Sequence, residues 1–272
     1  MVSVILHGAL GFMGRVVDEI IAGDPDIRIV AGVDITDSNE RDYPIYSSFG
    51  KCTEAADAII DFSTAKAVDV LVAYAVERNI PAVICTTGLS EKQTAMIKEA
   101  SEQVAVLRSG NMSLGINLLI KLLKEAAETL SPAGFDAEIL EMHHRRKLDA
   151  PSGTALMLAD AVREGAAAGG GPAKAPGHAE IDNTEERGEF MPLVYDRNAR
   201  RGARPAGEIG MSTLRGGTIV GTHDVYFAGQ DEVIEIKHTA TSRAVFAKGA
   251  VQAAKFLAGK GPGLYTMADV IG

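Results

Sequence analysis

The chain opens on Val2–His7, a short apolar run rich in β-branched residues that reads as a buried strand. Phe12–Ala22 then has helical spacing. Residues 27–34 (IRIVAGVD), 58–62 (AIIDF), 81–86 (PAVICT) and 104–107 (VAVL) read as four further strands. A helix is predicted near Ala65–Arg78. Another starts at Ser90, where Ser90 and Gln93 have capping-box spacing. Strands without polar alternation, separated by helices, predict a parallel sheet covered on both faces: an α/β, Rossmann-like, doubly wound fold.

The pattern changes after about Asn111. Leu114–Leu130 is a long apolar-periodic helix stopped by Ser131-Pro132. Asp136–His143 reads as a strand and residues 155–164 as a helix. Residues 165–177, rich in Gly, Ala and Pro, read as a loop. Residues 181–205 carry five arginines with little periodicity and read as a solvated loop. Residues 209–214, 218–228 and 232–240 resemble an antiparallel sheet, and residues 244–258 a closing helix. Two domains follow, 1–113 and 114–242, the second an α+β unit with an open mixed or antiparallel sheet.

Composition narrows the function. The chain has 272 residues, 46% hydrophobic and 23% charged, with formal net charge −9. That balance argues against nucleic acid, which needs a broad basic face. No segment has the ~20 apolar residues of a membrane span, and the first fifteen lack the basic start of a signal peptide. Cys52 and Cys85 form no metal or redox motif, so reduced thiols, a cytoplasmic location and no metal site are expected.

Gly8-Ala9-Leu10-Gly11-Phe12-Met13-Gly14 joins the first strand to the first helix. Glycines there allow a tight turn and a close approach of diphosphate to the helix N-terminus. The spacing is GxxGxxG, so its position carries more weight than the motif. Asp34 ends the second strand, twenty residues beyond Gly14, where a carboxylate meets the ribose hydroxyls of NAD. No base follows until Arg41, which favours NADH over NADPH. Phe62 and the Thr87-Gly88 turn follow later strands and are expected to line the same cleft.

HHRRKLDAPSGTA, residues 143–155, concentrates positive charge in an acidic chain. Two histidines, a lysine and a helix start suit a small dianion and a proton transfer. A solvated charged turn is the alternative.

EMHHRRKLDAPSGTAL resembles the signature of the dihydrodipicolinate reductase family, now called 4-hydroxy-tetrahydrodipicolinate reductases, of lysine and diaminopimelate biosynthesis. Gly8–Arg15, Thr86–Gly88, Asn111–Asn117, IGMSTLRGGTIVGTH and HTATSRAVFAKGA are similar to the family too. The resemblance implies NADPH or NADH reduction of a cyclic dicarboxylate. His143 and Lys147 become catalytic. His144, Lys147, Gly153 and Thr154 become ligands of the substrate carboxylates. Gly8, Gly11, Phe12, Met13, Gly14, Asp34, Phe62, Thr87, Gly88, Asn111 and Met112 become cofactor contacts. It also implies a homotetramer joined through the second domain, and a C-terminal segment, 243–272, that completes the first. Arg146 stands where many members have a third histidine, so no role of that histidine carries over. Cys85 stands where glycine is common. Another two-domain amino-acid dehydrogenase, or a non-catalytic NAD-sensing regulator, shares parts of this outline but not the HHRRK–PSGTA run.

Overall fold

A strand that is apolar at every position needs cover on both faces, and Val2–His7 has it. In the computed structural model, which describes residues 1–172, 190–198 and 202–272, Val4 and Leu6 pack into one buried layer and Ile5 into the other. The elements in order are β1 (Val2–His7), α1 (Phe12–Ala22), β2 (Ile27–Val33), β3 (Ile45–Tyr46), β4 (Ala58–Asp61), α2 (Ala65–Arg78), β5 (Ala82–Ile84), α3 (Glu91–Ala100) and β6 (Ala105–Arg108). There follow α4 (Leu114–Leu130), β7 (Asp136–His143), α5 (Gly153–Ala168), β8 (Leu193–Val194), β9 (Ile209–Arg215), β10 (Gly221–Ala228), β11 (Val233–Ala240), α6 (Ala244–Leu257), β12 (Gly263–Tyr265) and α7 (Met267–Ile271).

The chain divides into two units, Met1–Asn117 with Arg243–Gly272, and Leu118–Ser242. The first holds a seven-stranded sheet in the order β12-β6-β5-β4-β1-β2-β3, every pairing parallel. Helices α1 and α6 cover the Val4–Leu6 face; α2 and α3 cover the Ile5 face. Lys255 on α6 binds the Asp24 carboxylate at 2.7 Å, fixing the returning helix beside the turn after α1. Strand order reverses about β1, so the loops after β1, β2 and β4 open at one edge, where open α/β sheets place ligands.

The second unit has a five-stranded sheet, β11-β10-β7-β9-β8. Of the mixed and antiparallel arrangements expected for it, the mixed one is found. β10 runs antiparallel to β7 and β11, but β9 pairs parallel with β7. Helix α5 lies between β7 and β9 in the chain, and a crossover of that length permits parallel pairing. The sheet is mixed.

Two loop expectations change. Residues 165–168 are the last turn of α5 and Gly169 is its C-cap. A Cβ on Gly165 would lie 2.1 Å from the Lys124 carbonyl oxygen of α4. Glycine there answers a close helix approach, and the cluster of small residues is a packing signal. Residues 173–177, like 181–189 and 199–201 of the arginine-rich stretch, lie outside the described residues. In the described part of that stretch Arg204 is not solvated. It reaches Asp136, Glu138 at 3.0 Å and the Ala137 and Glu208 carbonyls at 3.0 and 2.7 Å. Arg197 binds Glu208 at 2.7 Å. Strands β3, β8 and β12 have two or three residues each, too few for a periodic pattern.

Candidate active site

In the first unit, the loops after β1, β2, β3 and β4 line a cavity of about 410 Å³. Gly8 sits there at φ +81°, and a Cβ on it would lie 2.6 Å from the Phe62 carbonyl oxygen. Gly14 is as constrained: its Cβ would lie 2.2 Å from the Gly8 carbonyl oxygen. Helix α1 starts at Gly11 with no capping side chain and no acid in its first turn. Its first-turn amides are therefore left for an anionic ligand.

Asp34 lines the same cavity. Its Oδ2 accepts from the Leu10 amide at 2.8 Å and its Oδ1 from its neighbour Ile35 at 2.7 Å. The carboxylate thus fastens the glycine loop as well as facing the cavity. Ile35, 89% exposed, and Val70, 59% exposed, add apolar surface to the lining. A glycine cradle, an uncapped helix, a carboxylate and exposed apolar surface fit a dinucleotide.

The cavity brings together Gly8, Gly11, Asp34 and Phe62; the other predicted cofactor residues lie outside its lining. Phe12 is exposed beneath the Arg243 guanidinium, 5.7 Å from its ring centre. Met13 packs against the core, and Met112 is buried in it. Thr87 and Gly88 form an exposed turn after β5. Asn111 Oδ1 accepts from the Ser113 amide at 2.9 Å and its carbonyl from Asn117 Nδ2 at 2.8 Å. Asp61, fully buried, joins three of these loops: it lies 2.9 Å from His7 Nδ1 and accepts from Thr86 Oγ1 at 2.7 Å and the Ser63 amide at 3.1 Å. Burial pushes the Cys85 thiol well above its ordinary pKa, so Cys85 is an unreactive core residue.

Arg41 is paired with Asp18 at 3.0 Å. A cation next to the cavity is Lys51, whose Nζ lies 2.9 Å from Oγ of the cavity residue Ser47 and 2.7 Å from Asp37. The β3 segment before it pairs with β2, and the Asp34 amide donates to the Tyr46 carbonyl at 3.0 Å.

The second unit holds the basic stretch. The buried face of β7 reads Ala137, Ile139, Glu141, His143, two apolar residues and then two ionisable ones. Glu141 is 0% and His143 8% exposed. Glu141 Oε2 lies 2.5 Å from His143 Nδ1 and accepts from Arg215 Nη1 at 2.8 Å. Its Oε1 accepts from Arg215 Nη2 at 2.7 Å, the Ser152 amide at 3.0 Å and Thr213 Oγ1 at 3.3 Å. Ser152 caps α5 by accepting from the Ala155 amide at 3.1 Å, and its Oγ lies 3.0 Å from His223 Nε2. Gly153 and Thr154 are the first two residues of that helix. One carboxylate therefore ties His143 to the helix start that the sequence placed beside it.

Lys147 lies 2.8 Å from Asp149, and its amide donates to the His144 carbonyl at 3.0 Å, closing a tight turn. Arg145, Arg146 and Leu148 in this turn are exposed. The solvated reading holds for them and fails for His143.

Burial pushes the His143 pKa below its ordinary value, against the raising effect of Glu141; Lys147 and Arg215 add to the lowering. Burial alone would raise Glu141, but Arg215 and His143 outweigh it and hold the carboxyl low. His223, 5.2 Å from His143 between ring centres, is pushed down to about 4, chiefly by burial. Glu141, Ser152, Arg215 and His223 were absent from the sequence-predicted site. Each left a signal: Glu141, two residues before His143 on a strand, faces the same side, Ser152 lies in the PSGT helix start, and Arg215 and His223 lie in the IGMSTLRGGTIVGTH stretch.

Residues 2–112 match the family model described as dihydrodipicolinate reductase, N-terminus, and residues 115–271 match that of its C-terminus. A 4-hydroxy-tetrahydrodipicolinate reductase of Caldanaerobacter subterraneus subsp. tengcongensis is 48% identical over all of this chain and 98% of its own. One from Clostridium novyi is 42% identical over all of this chain and 98% of its own. Among solved structures, a dipicolinate-bound dihydrodipicolinate reductase from Paenisporosarcina sp. TG-14 aligns over all of this chain and 99% of its own, with TM-score 0.78 at 22% identity, a likeness of fold.

Proposed function

The chain belongs to the dihydrodipicolinate reductase family, and from that premise we propose how its residues carry out the reaction. The activity is that of 4-hydroxy-tetrahydrodipicolinate reductase, an NAD(P)H-dependent oxidoreductase of lysine and diaminopimelate biosynthesis. In the reaction a six-membered cyclic imine with two carboxylates loses one water and gains one hydride and one proton.

The first unit binds the dinucleotide, through Gly8, Gly11, Phe12, Met13 and Gly14 at the diphosphate, Asp34 at the ribose, and Phe62, Thr87, Gly88, Asn111 and Met112 nearer the reacting end. When bound, the dinucleotide supplies the hydride. NADH is used at least as well as NADPH, because Asp34 repels a 2′-phosphate. Lys51 beside Ser47 keeps NADPH usable.

The second unit binds the substrate. Lys147, His144 and the α5 start at Gly153 and Thr154 hold the two carboxylates. His143 gives its Nε2 proton to the ring carbon. In the free protein its depressed pKa keeps the ring mostly neutral at pH 7. A dianion beside it favours the imidazolium, so substrate binding loads the acid. Such assistance is worth about 10²–10⁴-fold. The observation that carries this reading is the buried Glu141–His143 pair, joined to the α5 cap and followed by Lys147. The chain acts in the cytoplasm as a homotetramer joined through the second unit; β11, an edge strand with Val233 exposed, needs cover.

Pyridine-2,6-dicarboxylate, flat and dianionic, tests the site. It raises the wild-type melting temperature by mass action, and Lys147→Ala loses most of that rise. Equal stabilisation of both proteins would place the substrate elsewhere. Light scattering at micromolar concentration tests the tetramer; a monomer refutes it.

A further inference from the structure

A fully buried carboxylate needs a reason. Two apolar residues occupy the same face of β7 just before it, and a third would continue the core at lower cost. Glu141 receives five contacts instead: two from Arg215, and one each from His143, Ser152 and Thr213. Arg215 alone engages both carboxylate oxygens with its fork, so the ion pair is complete without the histidine. Yet the His143 contact, at 2.5 Å, is the shortest of the five. An ionised carboxylate accepts only, so His143 Nδ1 must carry a hydrogen there. That leaves Nε2 as the nitrogen able to exchange a proton. Gly221 lies beside this atom: a Cβ there would come within 3.1 Å of Nε2. Glycine keeps that side of the ring open.

We propose that Glu141, clamped by Arg215, is the positioning residue of the reaction: it fixes His143 as the Nδ1–H tautomer, aims Nε2 at the substrate, and stabilises the imidazolium formed when Nε2 is protonated. Glu141 itself stays ionised throughout. It moves no proton; it determines which nitrogen does. The inference rests on His143 being the proton donor. The charged and titratable groups facing the ring are Glu141 on its own strand, Arg215 on β9, His223 on β10 and Lys147 in the following turn. Of these only Glu141 favours the protonated ring, so its removal makes the acid form scarcer at any pH. Its contact with the Ser152 amide also sets the α5 start relative to the imidazole.

Four variants and one spectrum separate the possibilities. Glu141→Gln keeps the shape and loses the charge. It lowers kcat by about 10²–10⁴-fold, as loss of the orienting acid does in other carboxylate–histidine pairs. It leaves the affinities for NADH and pyridine-2,6-dicarboxylate within threefold of wild type, and moves the pH limb set by His143 to lower pH. Glu141→Asp recovers part of kcat. Arg215→Gln, which frees the clamp, lowers kcat in the same direction by less. In the wild type at pH 8, nitrogen NMR of labelled histidine finds the His143 hydrogen on Nδ1, a readout that does not depend on any variant folding. An Nε2–H tautomer overturns the proposal. So does Glu141→Gln with kcat within threefold of wild type, or with dicarboxylate affinity lost in step with kcat, since the role is then structural. His143→Ala at wild-type kcat instead removes the reading of the proton donor on which the proposal rests.

Discussion

Lys147 Nζ lies 2.8 Å from Oδ2 of Asp149, so the lysine proposed to hold the substrate is already held by an acid two residues on. The lysine keeps the Asp149 carboxyl below its ordinary pKa range. A dianion arriving at Lys147 must compete with this partner. The pair is half exposed, and such pairs contribute about 0.2–1 kcal/mol. Asp149→Asn is expected to lower KM for the substrate by up to about fivefold, with kcat unchanged. Steady-state kinetics checks this; an unchanged or higher KM means that Asp149 does not compete.

Stability should fall on the acid side for a named reason. His223 is neutral in the fold down to about pH 4, while the unfolded chain takes up its proton near the ordinary 6.5. Between those values the unfolded state binds more protons, so stability is present above pH 6.5 and is lost as pH falls towards 4. The displacement is worth roughly 3 kcal/mol. His143 and His238 are lowered in the same sense. Melting curves from pH 7.5 to 4.5 should decline more steeply for wild type than for His223→Asn. Parallel curves would remove His223 from the account.

Cofactor choice should respond to Lys51, which touches the cavity residue Ser47. Removing an exposed cation next to a phosphate costs about 1 kcal/mol or less. Lys51→Ala is expected to raise KM for NADPH by up to about fivefold and leave KM for NADH unaltered. Equal changes for both cofactors would mean that the 2′-phosphate lies elsewhere.

The contact between α4 and α5 leaves no space for a methyl group at Gly165, whose Cβ would sit 2.1 Å from a backbone oxygen. Gly165→Ala should cost about 1–3 kcal/mol, as overpacking does. Urea unfolding should show a lower midpoint at an unchanged slope. A wild-type midpoint would show that the helices part at little cost.

The sequence by itself determined the parallel sheet and the glycine loop. A strand covered on both faces must be apolar at every position, and this pattern survives in one dimension. Gly8 and Gly14 are legible for a similar reason: only glycine fits beside the backbone atoms that approach there. The signature around His143 was legible as chemistry, because a run of cations in an acidic chain is conspicuous wherever it folds.

Only the tertiary structure decided which charges meet. Glu141 and Arg215 are 74 residues apart in sequence, and pairing of β7 with β9 in parallel brings them together. The same pairing decided that the sheet is mixed, an arrangement the strand pattern alone left open beside the antiparallel one. Lys51 reaches Asp37 because β3, two residues long, adds to the sheet edge, while its contact with Ser47 is local. Gly165 looked like a loop residue until α4 packed against it. In each case the residue type is visible in the sequence, but its partner is set by strand order and helix approach. Apolar periodicity constrains which face is buried and leaves open what is buried against it.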